Sequence, residues 1–328
     1  MVLSIVTSPR FRRYAIVYLG LLVLCFLGWQ FVLHPRSTNN SAIMTSSDSN
    51  QKVKVGELDP ALLPASLAPE DDRSSGRRLI FIGDVHGCKP ELERLLDEVS
   101  FDKARDHLIF VGDLITKGPD SLGVLDLARD YSASCVRGNH EDRILTLRHD
   151  ILASDVTGDS SNMAQKEDAA SLQLARGLSV DQENWLNACP MILNVGQIPN
   201  MGQVVVAHGG IVPGVDLDRQ DPYSVMNMLT MDPKTLVPSS SRDKGKKWTK
   251  LFNEHQSLSA ESKAGVMTII YGHDSKSGLS IKEYTKGLDS GCVKGNQLSA
   301  LVVSDGGRQE IVQVDCSKKQ QNKKKKKK

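Results

Sequence analysis

The sequence lacks closely spaced cysteines and contains no CxxC pair. Its six cysteines, at positions 25, 88, 135, 189, 292 and 316, lie far apart in a chain of 328 residues. This spacing excludes a CxxC-type structural zinc site and the dense disulfide framework of a small secreted domain. We therefore expect mostly buried cysteines and at most one disulfide. The chain also lacks an internal repeat, so a repeat architecture is excluded.

Acidic residues are missing from both ends of the chain. The first 36 residues carry four arginines and no acid, and residues 317–328 carry eight lysines and no acid. Removing these twelve positive charges from the net charge of +2 leaves about −10 on residues 37–316. Divalent cations could offset part of that negative charge. The basic tail at 317–328 predicts either a solvated end or an electrostatic contact with a polyanion.

Charge is absent from residues 14–33, a run of twenty residues. At 1.5 Å per residue, a helix of this length spans the roughly 30 Å of a bilayer core. The preceding basic residues, 1–13, predict a cytosolic N-terminus and a lumenal body, as in a single-pass type II membrane protein. A cleaved signal peptide is the alternative, although its apolar region is usually shorter. The polar segment 34–77 predicts a flexible lumenal linker, within which 58–67 could be a short segment docked on the body.

Residues 78–316, the predicted folded domain, alternate between short apolar runs and segments whose apolar residues have helical spacing. Short runs such as 79–82 predict buried strands, and Leu92, Leu95, Leu96 and Val99 have the spacing of a helix face. Helices dominate the first part and paired strands the last part, which predicts an α/β fold of two packed sheets flanked by helices. Further strands are predicted at 107–111, 132–136, 191–195, 203–207, 266–271, 280–284, 298–304 and 310–314, and further helices at 120–129 and 179–188.

Five apolar runs end in residues that bind metal ions. LIFI leads into GDVHG, LIFV into GDLITKG, SASCV into RGNHED, VVVA into HGG, and VMTIIY into GHD. Each residue alone could be a buried histidine or a helix cap, but recurrence at five strand ends favours one shared site. Oxygen and imidazole donors without thiolate suit zinc, iron or manganese, and six donors exceed the ligands of one zinc ion, so two ions sharing an Asp are expected. The donors are Asp84, His86, Asp113, Asn139, His208 and His273.

These five stretches, in this order, resemble the signature blocks of the calcineurin-like phosphoprotein-phosphatase superfamily across residues 78–314. The resemblance implies two divalent ions, with zinc preferred and manganese, cobalt or iron as alternatives. It also implies that His140 protonates the leaving oxygen. By the same resemblance, Asp84, His86 and Asp113 hold the first ion, and Asp113, Asn139, His208 and His273 hold the second.

The sequence departs from the protein phosphatases at one place. Thr116-Lys117-Gly118 replaces their Asp-Arg-Gly. Thr116 cannot supply the carboxylate that orients His140, and Lys117 offers phosphate a point charge in place of an arginine fork. Lys117 before Gly-Pro, together with GLDSGCVKG at 287–295, resembles the bacterial diadenosine-tetraphosphatase-like branch. With a membrane anchor, the resemblance extends to zinc-dependent vacuolar endopolyphosphatases of fungi.

The resemblance implies hydrolysis of internal phosphoanhydride bonds of inorganic polyphosphate by a hydroxide that bridges two metal ions, in the vacuole. We expect polyphosphate and the membrane as partners, and neither nucleic acid nor an obligate protein partner. Arg137 and Arg143 could contact phosphates or form salt bridges. One alternative is a lumenal phosphoesterase for phosphoproteins or dinucleoside polyphosphates. Another is a membrane-tethered binding protein with a residual metal site, which the complete set of six ligands argues against.

Overall fold

The computed structural model describes residues 53–66, 76–157, 168–261 and 265–317. Short 3-10 turns lie at Pro60–Leu62, Leu217–Arg219, Cys292–Lys294 and Asp305–Gly307. The helices are α1 (Lys89–Glu98), α2 (Ser121–Asp130), α3 (Asn139–Thr157), α4 (Ala169–Gly177), α5 (Val180–Ala188), α6 (Pro222–Asn227) and α7 (Trp248–Glu261). The strands are β1 (Val55–Glu57), β2 (Arg78–Ile82), β3 (Asp106–Phe110), β4 (Ser134–Cys135), β5 (Ile192–Ile198), β6 (Gly202–Ala207), β7 (Thr230–Met231), β8 (Pro238–Ser239), β9 (Lys246–Lys247), β10 (Met267–Tyr271), β11 (Ser280–Ile281), β12 (Thr285–Gly287), β13 (Gln297–Ser304) and β14 (Arg308–Asp315).

Two large mixed sheets form the body. One has the strand order β1-β5-β6-β10-β12-β11 and the other β14-β13-β2-β3-β4. A small sheet, β8-β7-β9, stands beside them. Strands β2, β3 and β4 run parallel to one another, as do β6 and β10. The polar residues that follow these five strands are therefore delivered at the carboxyl ends of two sets of parallel strands.

The two sheets pack face to face, and helices cover their outer faces. Alternate residues of β2 point to opposite sides, as the pleat requires. Leu79 and Phe81 join the core between the sheets, which includes Ile270 from β10. Ile80 and Ile82 join the core against the helices, which includes Leu92 of α1. The predicted α/β fold of two packed sheets flanked by helices is confirmed.

Part of the predicted linker belongs to the folded body. Strand β1 pairs in parallel with β5, and Leu58 N–H donates to the Asn194 carbonyl at 2.9 Å. Val53 and Leu58 are buried. The prediction of a flexible linker is therefore wrong for residues 53–66, because a short apolar strand there completes the edge of a sheet.

The predicted anchor at 14–33 and basic segment at 1–13 lie outside the described residues, as do linker residues 34–52 and 67–75 and the lysines of the tail. Within the described part of the chain, no helix combines the length and apolar character that crossing a membrane requires.

Two disulfides join described cysteines. Cys135 at the end of β4 is bonded to Cys189 after α5, and Cys292 is bonded to Cys316 after β14. Cys88 is buried and free. The expectation of at most one disulfide is wrong, because the paired positions are separated by 54 and 24 residues in sequence and only the fold brings them together.

Candidate metal centre

The Asp113 carboxylate lies at the centre of the site. It follows β3, is almost fully buried, and is surrounded by imidazoles. Its Oδ2 lies 3.5 Å from His86 Nε2 and 3.8 Å from His140 Nε2, and its Oδ1 lies 3.3 Å from His208 Nε2. Burial raises the pKa of Asp113, but His208, and then His86 and His140, outweigh it and hold that pKa well below its usual range. Asp113 is therefore ionised at neutral pH.

Asn139, the first residue of α3, contacts the two histidines that follow strands β6 and β10 of the other large sheet. Its Oδ1 lies 3.2 Å from His208 Nε2, after β6, and 3.1 Å from His273 Nδ1, after β10. The His273 backbone N–H in turn donates to Asp84 Oδ2 at 3.1 Å. The structure thus brings together all six residues predicted as metal ligands.

Backbone carbonyls orient two of the imidazoles. His86 Nδ1 lies 3.1 Å from the Ile115 carbonyl and His208 Nδ1 lies 2.8 Å from the Val111 carbonyl, so each Nδ1 carries the proton and each Nε2 points into the site. Burial lowers the pKa values of His86 and His273 to about 4. These rings are neutral at physiological pH, which is the form that binds metal ions.

A second carboxylate lies beside Asp84. Burial, followed by the charge of Asp289, raises the pKa of Asp84 well above its usual range, and burial also raises the pKa of Asp289. Two buried carboxyl groups this close need a shared proton or a cation between them. Burial lowers the pKa of His208, but Asp113, and then Asp84, raise it to about 10. The negative field that holds a proton on His208 would equally stabilise a divalent cation.

Glu141 fixes the loop that carries Asp113. Its buried carboxylate accepts hydrogen bonds from the backbone N–H groups of Asp113, Leu114 and Gly138 at 2.8, 2.8 and 2.9 Å. A Cβ on Gly138 would lie 2.3 Å from Asp113 Oδ1, so only glycine fits between the two acidic residues. Burial, and then the charge of Asp113, raise the pKa of Glu141 to about 7. Glu141 is a positioning residue that sequence reasoning missed, although it lies two residues after Asn139 in RGNHED.

Thr116 is the partner of His140. Thr116 Oγ1 lies 2.7 Å from His140 Nδ1, which leaves Nε2 facing Asp113. Burial lowers the pKa of His140 to about 4. A hydroxyl can hold the ring in place, but it does not stabilise the protonated ring as a carboxylate would. The Thr116 hydroxyl is therefore the group that orients His140, which the sequence left open. It stabilises the protonated form of His140 less than a carboxylate would.

Lys117 presents its ammonium to the site, where Nζ lies 2.9 Å from His86 Nε2. A cavity of about 100 Å³ opens here, and Lys294, Ser275 and Asp289 line it together with the ligand residues. Lys294 and Asp289 were not predicted as site residues. Asp289 could have been found from GLDSGC, which places an acid two residues after β12. Arg137 and Arg143, by contrast, form salt bridges with Asp142 and Asp168 at 3.5 and 3.0 Å.

The donor set fits two divalent cations. Among the described residues, two groups of three side chains each have ligand atoms that all lie within 4.8 Å of one another, and both groups include Asp113. One group consists of Asp84, Asp113 and His208, and the other of His86, Asp113 and His140. The presence of Asp113 in both groups agrees with a bridging role. Oxygen and imidazole donors without thiolate suit zinc, manganese or iron. Which ion each of the six predicted ligands would hold stays a prediction.

The sequence model of the calcineurin-like phosphoesterase family matches residues 77–296. The chain belongs to this family. The prediction of a phosphatase of the calcineurin-like class, and hence of a hydrolase, is confirmed. The family accounts for the paired carboxylate and imidazole donors, because its members use divalent ions for phosphoryl hydrolysis.

The chain is similar to two named enzymes and to one solved structure. It is 28% identical to a zinc-dependent endopolyphosphatase of Saccharomyces cerevisiae over 77% of this chain and 88% of that protein. It is 38% identical to a symmetrical bis(5'-nucleosyl)-tetraphosphatase of Edwardsiella ictaluri, over 42% of this chain and 45% of that protein. The crystal structure of a putative diadenosine tetraphosphatase is similar with a TM-score of 0.61 and 31% identity, covering 80% of this chain and 98% of that one.

We predict that Asn139→Ala lowers hydrolysis by about a hundredfold or more, because even outer-shell groups of metal sites contribute tenfold to a hundredfold. The variant should also bind fewer metal ions per chain, measured by elemental analysis, while its circular dichroism stays unchanged. His149→Ala is the matched control, because the His149 side chain is 84% exposed and on α3 as well. Parental activity and metal content in Asn139→Ala would remove Asn139 from the metal centre.

Proposed function

We propose that the protein is an endopolyphosphatase that hydrolyses internal phosphoanhydride bonds of inorganic polyphosphate with two divalent ions, zinc preferred. The observation that carries this proposal is the contact between Thr116 and His140. A phosphoanhydride releases a stable phosphate anion and therefore depends less on a general acid than an alkyl ester does. A site whose general acid has only a hydroxyl partner is best suited to that substrate.

Each residue has a definite task in this reaction. Divalent ions in the site would activate water and polarise the phosphoryl oxygens. Asp113, held by Glu141, keeps its two carboxylate oxygens directed into both ligand groups. Lys117 places a positive charge where phosphate oxygens gather charge. His140, with Nδ1 held by Thr116, directs Nε2 towards the leaving oxygen.

The similarity to the yeast zinc-dependent endopolyphosphatase supports this choice, because it extends over most of both chains. Dinucleoside polyphosphates are the second candidate. Their support is the match to tetraphosphatases together with a cavity of about 600 Å³ that borders Thr116 and His140. A cavity of this volume can accept a nucleoside. Both candidates are phosphoanhydrides, so the two proposals share one chemistry. Phosphoproteins have no comparable support.

We also propose that the catalytic body is lumenal, held by residues 14–33 in the membrane of an acidic compartment such as the vacuole. The support is the uncharged run in the sequence and the two disulfides, since disulfides persist in the secretory pathway and are rare in the cytosol.

The substrate test uses the full-length protein with zinc, manganese or cobalt and long-chain polyphosphate, and it sizes the products on a gel. Internal cleavage should yield a broad distribution of intermediate chains. His208→Ala, which removes a predicted ligand, is the inactive control. Intact polyphosphate beside rapid hydrolysis of diadenosine tetraphosphate would overturn the choice of substrate and leave the metal centre in place.

Thr116→Asp should change substrate preference, because it restores the carboxylate partner of His140. We expect hydrolysis of a phosphoserine peptide to rise about tenfold relative to polyphosphate, since a general acid contributes most to a poor leaving group. Thr116 has φ 73°, a conformation that Asp accepts more readily than a β-branched residue. Thr116→Ser keeps the hydroxyl and should keep the parental ratio. An unchanged ratio in Thr116→Asp would remove the link between Thr116 and the substrate.

Lumenal placement predicts that both disulfides are formed in the protein taken from its own cells. Alkylation before reduction should leave Cys135, Cys189, Cys292 and Cys316 unlabelled, as read by mass spectrometry. Reduction should lower the melting temperature, because the loop of 54 residues closed by Cys135–Cys189 corresponds to about 4 kcal/mol of chain entropy. Full labelling of all four cysteines would argue for a reducing compartment.

A further inference from the structure

A second cationic region lies next to the metal centre. Lys247, at the end of β9, and Lys282, after β11, line a cleft of about 100 Å³ together with the hydroxyl residues Thr249, Ser277 and Ser280. We call this cleft, between Lys247 and Lys282, the lysine cleft. It is separate from the cavity of the metal centre, and the reaction described above makes no use of it.

The charges of the lysine cleft are not neutralised by acidic partners. Lys247 Nζ donates to Ser277 Oγ at 2.7 Å and Lys282 Nζ donates to Thr249 Oγ1 at 3.1 Å, so both ammonium groups bond to neutral hydroxyls. Among the described residues, neither ammonium forms an ion pair with a carboxylate. Burial, followed by repulsion from Lys247 and Lys250, lowers the pKa of Lys282. Like charges brought together in a concave space favour an anion there.

Two neighbouring acidic groups, Asp274 and Glu254, already have cationic partners, and the exposed Glu283 contacts the Tyr284 hydroxyl. Asp274, which also lines the cleft, forms a bidentate contact with Arg242. Glu254 lies 3.9 Å from Lys250 on the exposed face of α7. Three cations, Lys247, Lys282 and Lys294, remain on this side of the molecule with hydroxyl partners only.

A short turn connects the cleft to the metal centre. His273 begins this turn, and Ser275 lines the cavity of the metal centre, where its Oγ accepts a hydrogen bond from Lys294 Nζ at 2.5 Å. Ser277, which contacts Lys247, follows two residues later. Two residues span at most about 7 Å. The serine that binds Lys294 and the serine that binds Lys247 are therefore separated by at most about 7 Å of backbone.

We propose that a polyphosphate chain leaves the metal centre past Lys294, follows the turn at 273–278, and binds with a distal segment in the lysine cleft. This inference rests on the proposed function. A chain too short to reach from the metal centre to the cleft gains nothing from Lys247 and Lys282. Long chains are held on this side of the scissile bond, so cleavage falls within the chain and away from that end.

The test compares the double variant Lys247→Ala/Lys282→Ala with the parent, both full length, on long-chain polyphosphate and on tripolyphosphate. The KM for the long chain should rise about tenfold while that for tripolyphosphate stays unchanged. The slope of log KM against log salt should fall by about two, one for each phosphate contact removed. The proposal would be overturned if the double variant and the parent had the same KM for the long chain, or if the KM rose equally for both substrates.

The matched control is Lys103→Ala/Arg308→Ala, which removes the same charge near the amino ends of β2 and β3, whereas the metal centre lies at their carboxyl ends. Lys103 precedes β3, and Arg308 begins β14 opposite Ser304. This variant should keep the parental KM values. Lys247 and Lys282 are both exposed residues, so neither change should disturb folding. Lys247→Glu provides a second variant, which reverses one charge and should raise the KM for the long chain alone.

Failure of the proposed function gives a different result. A parent that leaves polyphosphate intact and hydrolyses diadenosine tetraphosphate would refute the endopolyphosphatase proposal. Fluorescence anisotropy with end-labelled long-chain polyphosphate then reports on the cleft directly. Weaker binding in Lys247→Ala/Lys282→Ala than in the control variant would support a phosphate-chain site, and equal binding would overturn it.

Discussion

The burial of one ionised carboxylate, that of Asp113, is the constraint on which the rest of the site depends. A charge this deep is stable only when cations or imidazoles surround it and its loop is fixed. The three parallel strands β2, β3 and β4 supply Asp84, Asp113 and Asn139 at one edge, and the facing sheet supplies His208 and His273. The packing of the two sheets therefore fixes the positions of these carboxylates and imidazoles, which would be unstable if they were buried singly.

Several residues of the metal centre have strained backbone conformations, and these conformations place the ligand side chains. Asp113, Thr116 and Lys117 have φ of 54°, 73° and 63°, and His86 and His273 also lie in the left-handed region. Such conformations cost of order 1–3 kcal/mol each and persist only where the surroundings fix them. Glu141 is one such constraint, because its carboxylate holds four backbone N–H groups of the loops around Asp113. The strain positions side chains at the ends of rigid strands.

Local patterns predicted the parts of this protein that depend on neighbours in sequence. The strands before Asp84 and Asp113 and the helices α1, α2 and α5 have clear periodicity, so the strand-end ligands could be placed from the sequence. The disulfides and the proximity of Asp289 to Asp84 depend on contacts between distant segments, which no local pattern reports. Strand β1 has no distinct signal in the sequence, because three residues carry too little periodicity to separate a strand from a linker. Helix α7 was missed because a lysine-rich stretch precedes it.

Two departures from a protein-phosphatase site have the same chemical consequence. Thr116 in place of a carboxylate weakens protonation of the leaving group, which disfavours alkyl esters more than anhydrides. Lys117 and Lys294 line the cavity of the metal centre, and Lys247 and Lys282 line a separate cleft. In the proposed path of the substrate, these lysines match a negative charge that is distributed along a chain. A single phosphate group could contact only one end of that path. Leaving-group chemistry and charge distribution are independent properties, and both support the proposal that the substrate is a condensed phosphate.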